Sequence, residues 1–125
     1  MNVEIVQAYG SDGGRSLVRF ASRAGLAWGL WCGDGTPQPG EENVEVDIPD
    51  TIHSWSSTDE PDSLSGVPGS HLKMCGRVET ADEGVVSIRI HSTVLLVEMD
   101  GNQHPAPGQR ITFYAPAAHL YPYAL

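Results

Sequence analysis

The sequence predicts an all-β protein made of two diverged copies of a four- to five-stranded small-barrel unit, packed with pseudo-twofold symmetry. Three observations predict it. Short apolar runs alternate with polar residues at the two-residue period of half-buried strands, and no segment carries sustained helical periodicity with caps. The 125 residues include 14 Gly and 9 Pro, a content that suits many short strands joined by turns. The second half can also be laid under the first with its turns and strands in step.

The first copy places strands near residues 3–8, 15–21, 25–32 and 43–48; the second places them near 72–79, 85–91, 93–99 and 109–114. Tyr9-Gly10-Ser11-Asp12-Gly13-Gly14 matches Glu79-Thr80-Ala81-Asp82-Glu83-Gly84 at a spacing of 70, and Leu17-Val18-Arg19-Phe20 matches Ser87-Ile88-Arg89-Ile90 at the same spacing. Each is a polar turn followed by a strand. Further on, Asp34-Gly35 matches Asp100-Gly101, Pro39-Gly40 matches Pro107-Gly108, Val44-Glu45-Val46 matches Ile111-Thr112-Phe113, and Pro49 matches Pro116, at spacings of 66 to 68. Loop deletions account for that drift. Such turns recur for a physical reason, since tight hairpins need positive φ and Pro-Gly suits a type II turn. Val18 and Phe20, like Val86, Ile88 and Ile90, alternate with polar or outer-face neighbours, so Arg19 and Arg89 are expected to point outward. Residues 52–55 and 120–123 set aromatics after an apolar residue and are expected to seal the end of their own unit. The resulting organisation is 1–57 for the first repeat, 58–70 for an acidic linker loop and 71–125 for the second repeat. Neither copy buries much alone, so the two are expected to pack together.

Lys and Arg number 7 against 16 Asp and Glu, a net charge of −9. Phosphate backbones repel such a surface, which argues against nucleic acid. The net charge is −5 over 1–57, −3 over 58–70 and −1 over 71–125. Negative charge concentrated in the first half and connector points to a basic protein partner. No positive start or apolar core of signal-peptide length occurs at the beginning, and the longest apolar stretch, 24–32, is about half a membrane span. With two distant cysteines, Cys32 and Cys75, read as free thiols, these features give a cytoplasmic expectation with no membrane role.

Searches for chemistry return little. There is no GxSxG elbow, P-loop, GxGxxG after a strand, HExxH or paired CxxC. The five histidines, His53, His71, His91, His104 and His119, show neither i, i+2 nor i, i+4 spacing, so no metal is expected. His91, beside Arg89, is the best single ligand or base candidate. Trp28 and Trp31 are three apart and face opposite sides of one strand. An exposed Trp31 ringed by Glu41, Glu42, Glu45 and Asp47 would make a hot spot for a basic protein, with Asp59, Glu60 and Asp62 extending the acidic surface. The expectation is a non-enzymatic binder without cofactors.

The run GRVETADEGVVSIRIHSTVLLVEMDG followed by PGQRITFYAP resembles an OB-like small barrel: a glycine-bearing first strand, a hairpin, then short strands. The aromatic and basic face of nucleic-acid-binding OB folds is missing. GLAWGLWCGDGTPQPGEENVEVDIPD with a terminal LYPYAL resembles small bacterial proteins in which such β units occur in pairs. That resemblance implies an immunity protein or inhibitor of a basic toxin; the alternatives are a structural or accessory subunit of a larger bacterial assembly, or an OB-type binder of a ligand or single-stranded nucleic acid.

Overall fold

A computed structural model describes residues 1–12, 14–101 and 103–124, and the side chains of these except Ser11 and Asp12. Gly13, in the first predicted hairpin turn, lies outside the described residues, as do Asn102 and Leu125. The described chain is all-β, with eleven strands: β1 (Asn2–Asp12), β2 (Arg15–Ser22), β3 (Gly25–Trp31), β4 (Gly40–Asp47), β5 (Ser56–Ser57), β6 (Ser63–Ser65), β7 (Leu72–Asp82), β8 (Val85–Ile90), β9 (Thr93–Glu98), β10 (Arg110–Ala115) and β11 (His119–Pro122). All eight long strands fall where alternation placed them. Strands β1, β2, β3, β11 and β4 close into a barrel; β5, β10, β7, β8 and β9 form a second sheet, with β6 also paired to β7.

The hairpins form because their local pattern admits one register. Gln7–Arg19, Ala8–Val18 and Asp12–Arg15 are paired across β1 and β2; Arg77–Arg89, Val78–Ile88 and Asp82–Val85 are paired across β7 and β8. Every member of the first set is 70 positions from its counterpart. Both hairpins carry an irregularity just beyond the Ala8 or Val78 pair, and β1 has a second one at Val6. Val18 and Phe20 point into the barrel while Arg19 stays on the outer face, half-exposed. Arg89 is exposed and ion-paired with Glu79. The fourth strands depart from the sequence alignment, because Ile5 pairs Gly40 whereas Gly76 pairs Ile111, a spacing of 71 rather than 67.

The closing segments do not seal their own units. Strand β11 inserts between β3 and β4 of the first half, parallel to β3 through Leu120–Trp31 and antiparallel to β4 through Leu120–Val46. Ile52, from the first half, makes a parallel bridge to Met99 beyond β9, and the chain continues into β5 against β10. Ile52 to Leu120 and Trp31 to Met99 are both 68 positions apart. The flanking bonds correspond too: Cys32 donates its N–H to the Leu120 carbonyl at 2.8 Å, and Asp100 to the Ile52 carbonyl at 3.2 Å. Each half therefore receives its last segment from the other.

Residues 58–70 are more than a linker. Leu64, fully buried, pairs with Met74 on β7 while its N–H reaches Ala24 O at 3.0 Å, and Gly66 N–H reaches Leu26 O at 3.1 Å. Strand β6 thus spans from the second sheet to the entrance of β3. One hydrophobic core runs through both sheets, from Val3, Phe20 and Val46 to Met74, Ile88 and Phe113. Cys32 and Cys75 are free, the second buried.

The connector is also fastened electrostatically. Glu60 meets Lys73 at 2.8 Å and Asp62 meets Arg110 at 2.8 Å, and Asp62 accepts the His91 N–H at 2.8 Å. Burial raises the Asp62 carboxyl, but the His91 amide and Arg110 together outweigh it and hold the group below the ordinary carboxylate range. A carboxyl depressed by folding stabilises fully above its unfolded value, about 3.9, and that stabilisation is lost as pH falls through the depressed value. Asp62→Ala is therefore expected to cost about 1–3 kcal/mol at pH 7. Denaturant titrations at pH 7 and pH 3 check this: the gap between variant and parent should narrow at pH 3, and an equal gap at both would exclude the carboxylate as its source.

Candidate protein-binding face

Strand β4 lines up carboxylates that enter none of the ion pairs among the described residues. Its alternation sends Val44 and Val46 into the barrel and leaves Glu41, Glu45 and Asp47 exposed outside. Glu42 falls on the inward side at the rim, half-exposed. On β1 the same alternation buries Val3 and Ile5 and exposes Glu4. The β1–β4 register then sets Glu4 directly opposite Glu41. Like charges directly opposed across a sheet are destabilising. Among the described residues the four ion pairs lie elsewhere, at His53–Asp100, Lys73–Glu60, Arg89–Glu79 and Arg110–Asp62.

The exchanged strand brings apolar area to this acidic face. Tyr121 of β11 lies opposite Glu45 and His119 opposite Asp47. Tyr121 and Tyr123 are exposed, as is Val6 on β1. The Cys32 thiol beside Tyr121, with smaller contributions from burial and Asp47, holds the phenol above its ordinary range against the opposing effect of Arg15. Tyr121 is thus a protonated phenol at neutral pH, able to donate a hydrogen bond while its ring offers contact area.

The structure brings together Glu41, Glu45 and Asp47 from the sequence-based set and separates the others. Trp31 corrects the expected hot spot: it faces the barrel interior and is 5% exposed, because β11 and the core cover that side of β3. Trp28, on the opposite face, is covered as well, its Nε1 donating to Ser70 O at 3.0 Å. Glu60 and Asp62 are engaged by Lys73 and Arg110 on the second sheet, so their charge is spent within the molecule. Asp59 is exposed on the connector. Glu4 and Tyr121 escaped the sequence reading. Alternation within 2–5 signals that Glu4 faces out, but its pairing with Glu41 and the arrival of Tyr121 are long-range facts.

His91 is half-buried in the β8–β9 turn, and the carboxylate beside it binds its backbone N–H rather than its ring. Among the described residues no three His, Cys, Asp or Glu side chains converge as a metal site would require, and no helix is long and apolar enough to cross a membrane. Comparison with known proteins returned no matching family model, no matching curated protein and no matching solved structure.

Proposed function

We propose that this chain is a non-enzymatic protein-binding module that presents the β1–β4–β11 face to a basic protein, in the manner of an immunity protein or inhibitor neutralising a toxin. The observation that carries the reading is the Glu4–Glu41 opposition, flanked by Glu45, Asp47 and exposed Tyr121, with none of the four ion pairs among the described residues formed there. Such a face is electrostatically frustrated alone and is relieved by Lys or Arg from outside. Aromatic area beside complementary charge is what fast, specific association uses. A cytoplasmic setting suits the free thiols.

The same proposal treats the chain as two diverged OB-like units related by a pseudo-twofold. Supporting it are the hairpin registers spaced by 70, the bridges spaced by 68, and a strand order in which the closing segment sits between the third and fourth strands, as in an OB barrel, but is supplied by the other unit. An accessory subunit using two like faces fits less well. The corresponding part of the second sheet carries Lys73 and Arg110 already neutralised by Glu60 and Asp62. A nucleic-acid binder would need a basic groove.

Charge reversal separates binding from folding. Glu41→Lys removes a repulsion and is expected to stabilise the fold by about 0.2–1 kcal/mol. The combination Glu41→Lys, Glu45→Lys and Asp47→Lys is expected to abolish capture of a basic protein that the parent chain retains at low salt. Side-by-side capture with both baits checks this, and an unchanged set of bound proteins would refute the assigned face.

A further inference from the structure

A cleft of about 270 Å³ lies where the two halves meet, between the β2–β3 turn and the β8–β9 turn. Ser22 and Arg23 enter it from the first turn, His91, Ser92 and Thr93 from the second, and Asn2 from the start of β1. In a chain with 16 acidic residues and 7 Lys and Arg, no carboxylate among the described residues lines this cleft. Arg23 is exposed and takes part in none of the four ion pairs among the described residues. Arg15, Arg19 and Arg77 likewise enter none of these pairs; what sets Arg23 apart is that it lines a cleft shared with Ser22, Ser92 and Thr93.

The backbone supplies an independent observation. Ile90 pairs with Thr93, so His91 and Ser92 form a two-residue hairpin turn. His91 has φ of 55°, at the position where such turns ordinarily carry glycine. Among the described residues positive φ otherwise falls on glycine, as at Gly14 and Gly84 in the other hairpins, and on Glu83 beside Gly84. Here a ring is held in the strained region instead. The His91 backbone N–H is fixed from behind by Asp62 at 2.8 Å, whose charge Arg110 offsets at 2.8 Å. Backbone strain held in place by surrounding structure clusters at functional sites.

We propose that this cleft binds the oxyanion group of a small solute, phosphate or carboxylate. The Arg23 guanidinium offers a two-pronged donor of the kind that recognises such groups, and Ser22, Ser92 and Thr93 surround it with hydroxyls. The His91 ring adds a further N–H donor. The volume is just below the usual range of ligand pockets, roughly 300–1,000 Å³, which restricts the ligand to a small molecule rather than a nucleotide or peptide. Because both halves contribute, a bound ligand bridges them and stabilises the folded state. This site stands independently of the acidic face.

The test is an amide-resolved NMR titration with sodium phosphate and, separately, with sodium acetate, at constant ionic strength balanced by chloride. Saturable shifts confined to 22–24 and 90–93 are expected with one of the two; phosphate alone saturating identifies a phosphate-bearing solute, acetate alone a carboxylate. Arg23→Gln should weaken that binding by roughly tenfold or more. His91→Gly should weaken it while raising the thermal midpoint, since glycine takes positive φ freely. Absence of saturation with both salts into the tens of millimolar, shifts spread over the surface, or affinity unchanged in Arg23→Gln would overturn the site. A lowered midpoint in His91→Gly would assign the ring a packing role and remove it from the proposal.

Discussion

A chain ending at Ala118, lacking β11, is expected to lose its cooperative fold as a whole rather than to loosen at one end. Leu120 is fully buried, and its strand is the piece that joins β3 to β4 and closes the barrel. Truncating that one side chain, Leu120→Ala, should already cost about 2–5 kcal/mol. Removing the strand also frees the β3 and β4 edges and uncovers Trp31 and Val46. The total is comparable with the whole stability of a small domain, about 5–15 kcal/mol. The damage spreads because the core is continuous and the exchange reciprocal: the first half must be in place for Ile52 to reach Met99. Isolated 1–57 and 71–125 are accordingly expected to be unfolded. Near-UV circular dichroism and denaturant titration check this, and a peptide spanning 117–125 added in trans should restore part of the signal. A truncated chain with a native-like cooperative transition, or a parent melting in two separated steps, would contradict the exchange.

Gly76→Ala is expected to be the most damaging single methyl addition, at about 3 kcal/mol or more. Gly76 is buried in β7, between β8 and β10. A Cβ built there stands 2.5 Å from the Arg89 carbonyl oxygen and 2.8 Å from Ile88 Cγ2. The first obstacle is backbone, so relief requires β7 and β8 to separate, weakening a hairpin whose register organises the second sheet. Gly10→Ala is the control. A Cβ at Gly10 meets nothing within 4 Å, and its stability should stay within about 0.5 kcal/mol of the parent. Urea midpoints of the two variants decide the matter; equal midpoints would mean that the strands accommodate the methyl group.

Gly76 was visible beforehand only as the glycine opening the run from 76 to 101, and the need for it comes from the close approach of its paired neighbour β8. The candidate face divides in the same way. Alternation in the expected 43–48 strand was enough to place Glu45 and Asp47 on one side, since successive side chains must point to opposite faces; Glu41 joins them and Glu42 leaves the set because the strand begins at Gly40. Alternation could not reveal that Glu4 lies across from Glu41. Trp31 shows the limit most plainly: its side of the strand could be read, but whether that side met solvent depended on a segment 89 residues later. In the connector, Ser63-Leu64-Ser65 is too short an alternation to stand out among Ser, Pro, Asp and Gly, yet Leu64 is where the two sheets are joined.

By itself the sequence determined the all-β class, the eight long strands, the hairpin turns and the 70-residue correspondence between hairpins. These follow from near-neighbour sterics, from positive φ at turns and from the two-residue period of a strand with one buried face. Only the tertiary structure decided which closing segment completes which half. Alternation in 52–55 and 120–123 is the same whichever half of the chain receives the segment, so it carries no information on the partner strand. The choice is made by the path of the connector, anchored through Leu64, Glu60 and Asp62, and by the single core that both exchanged segments help to fill.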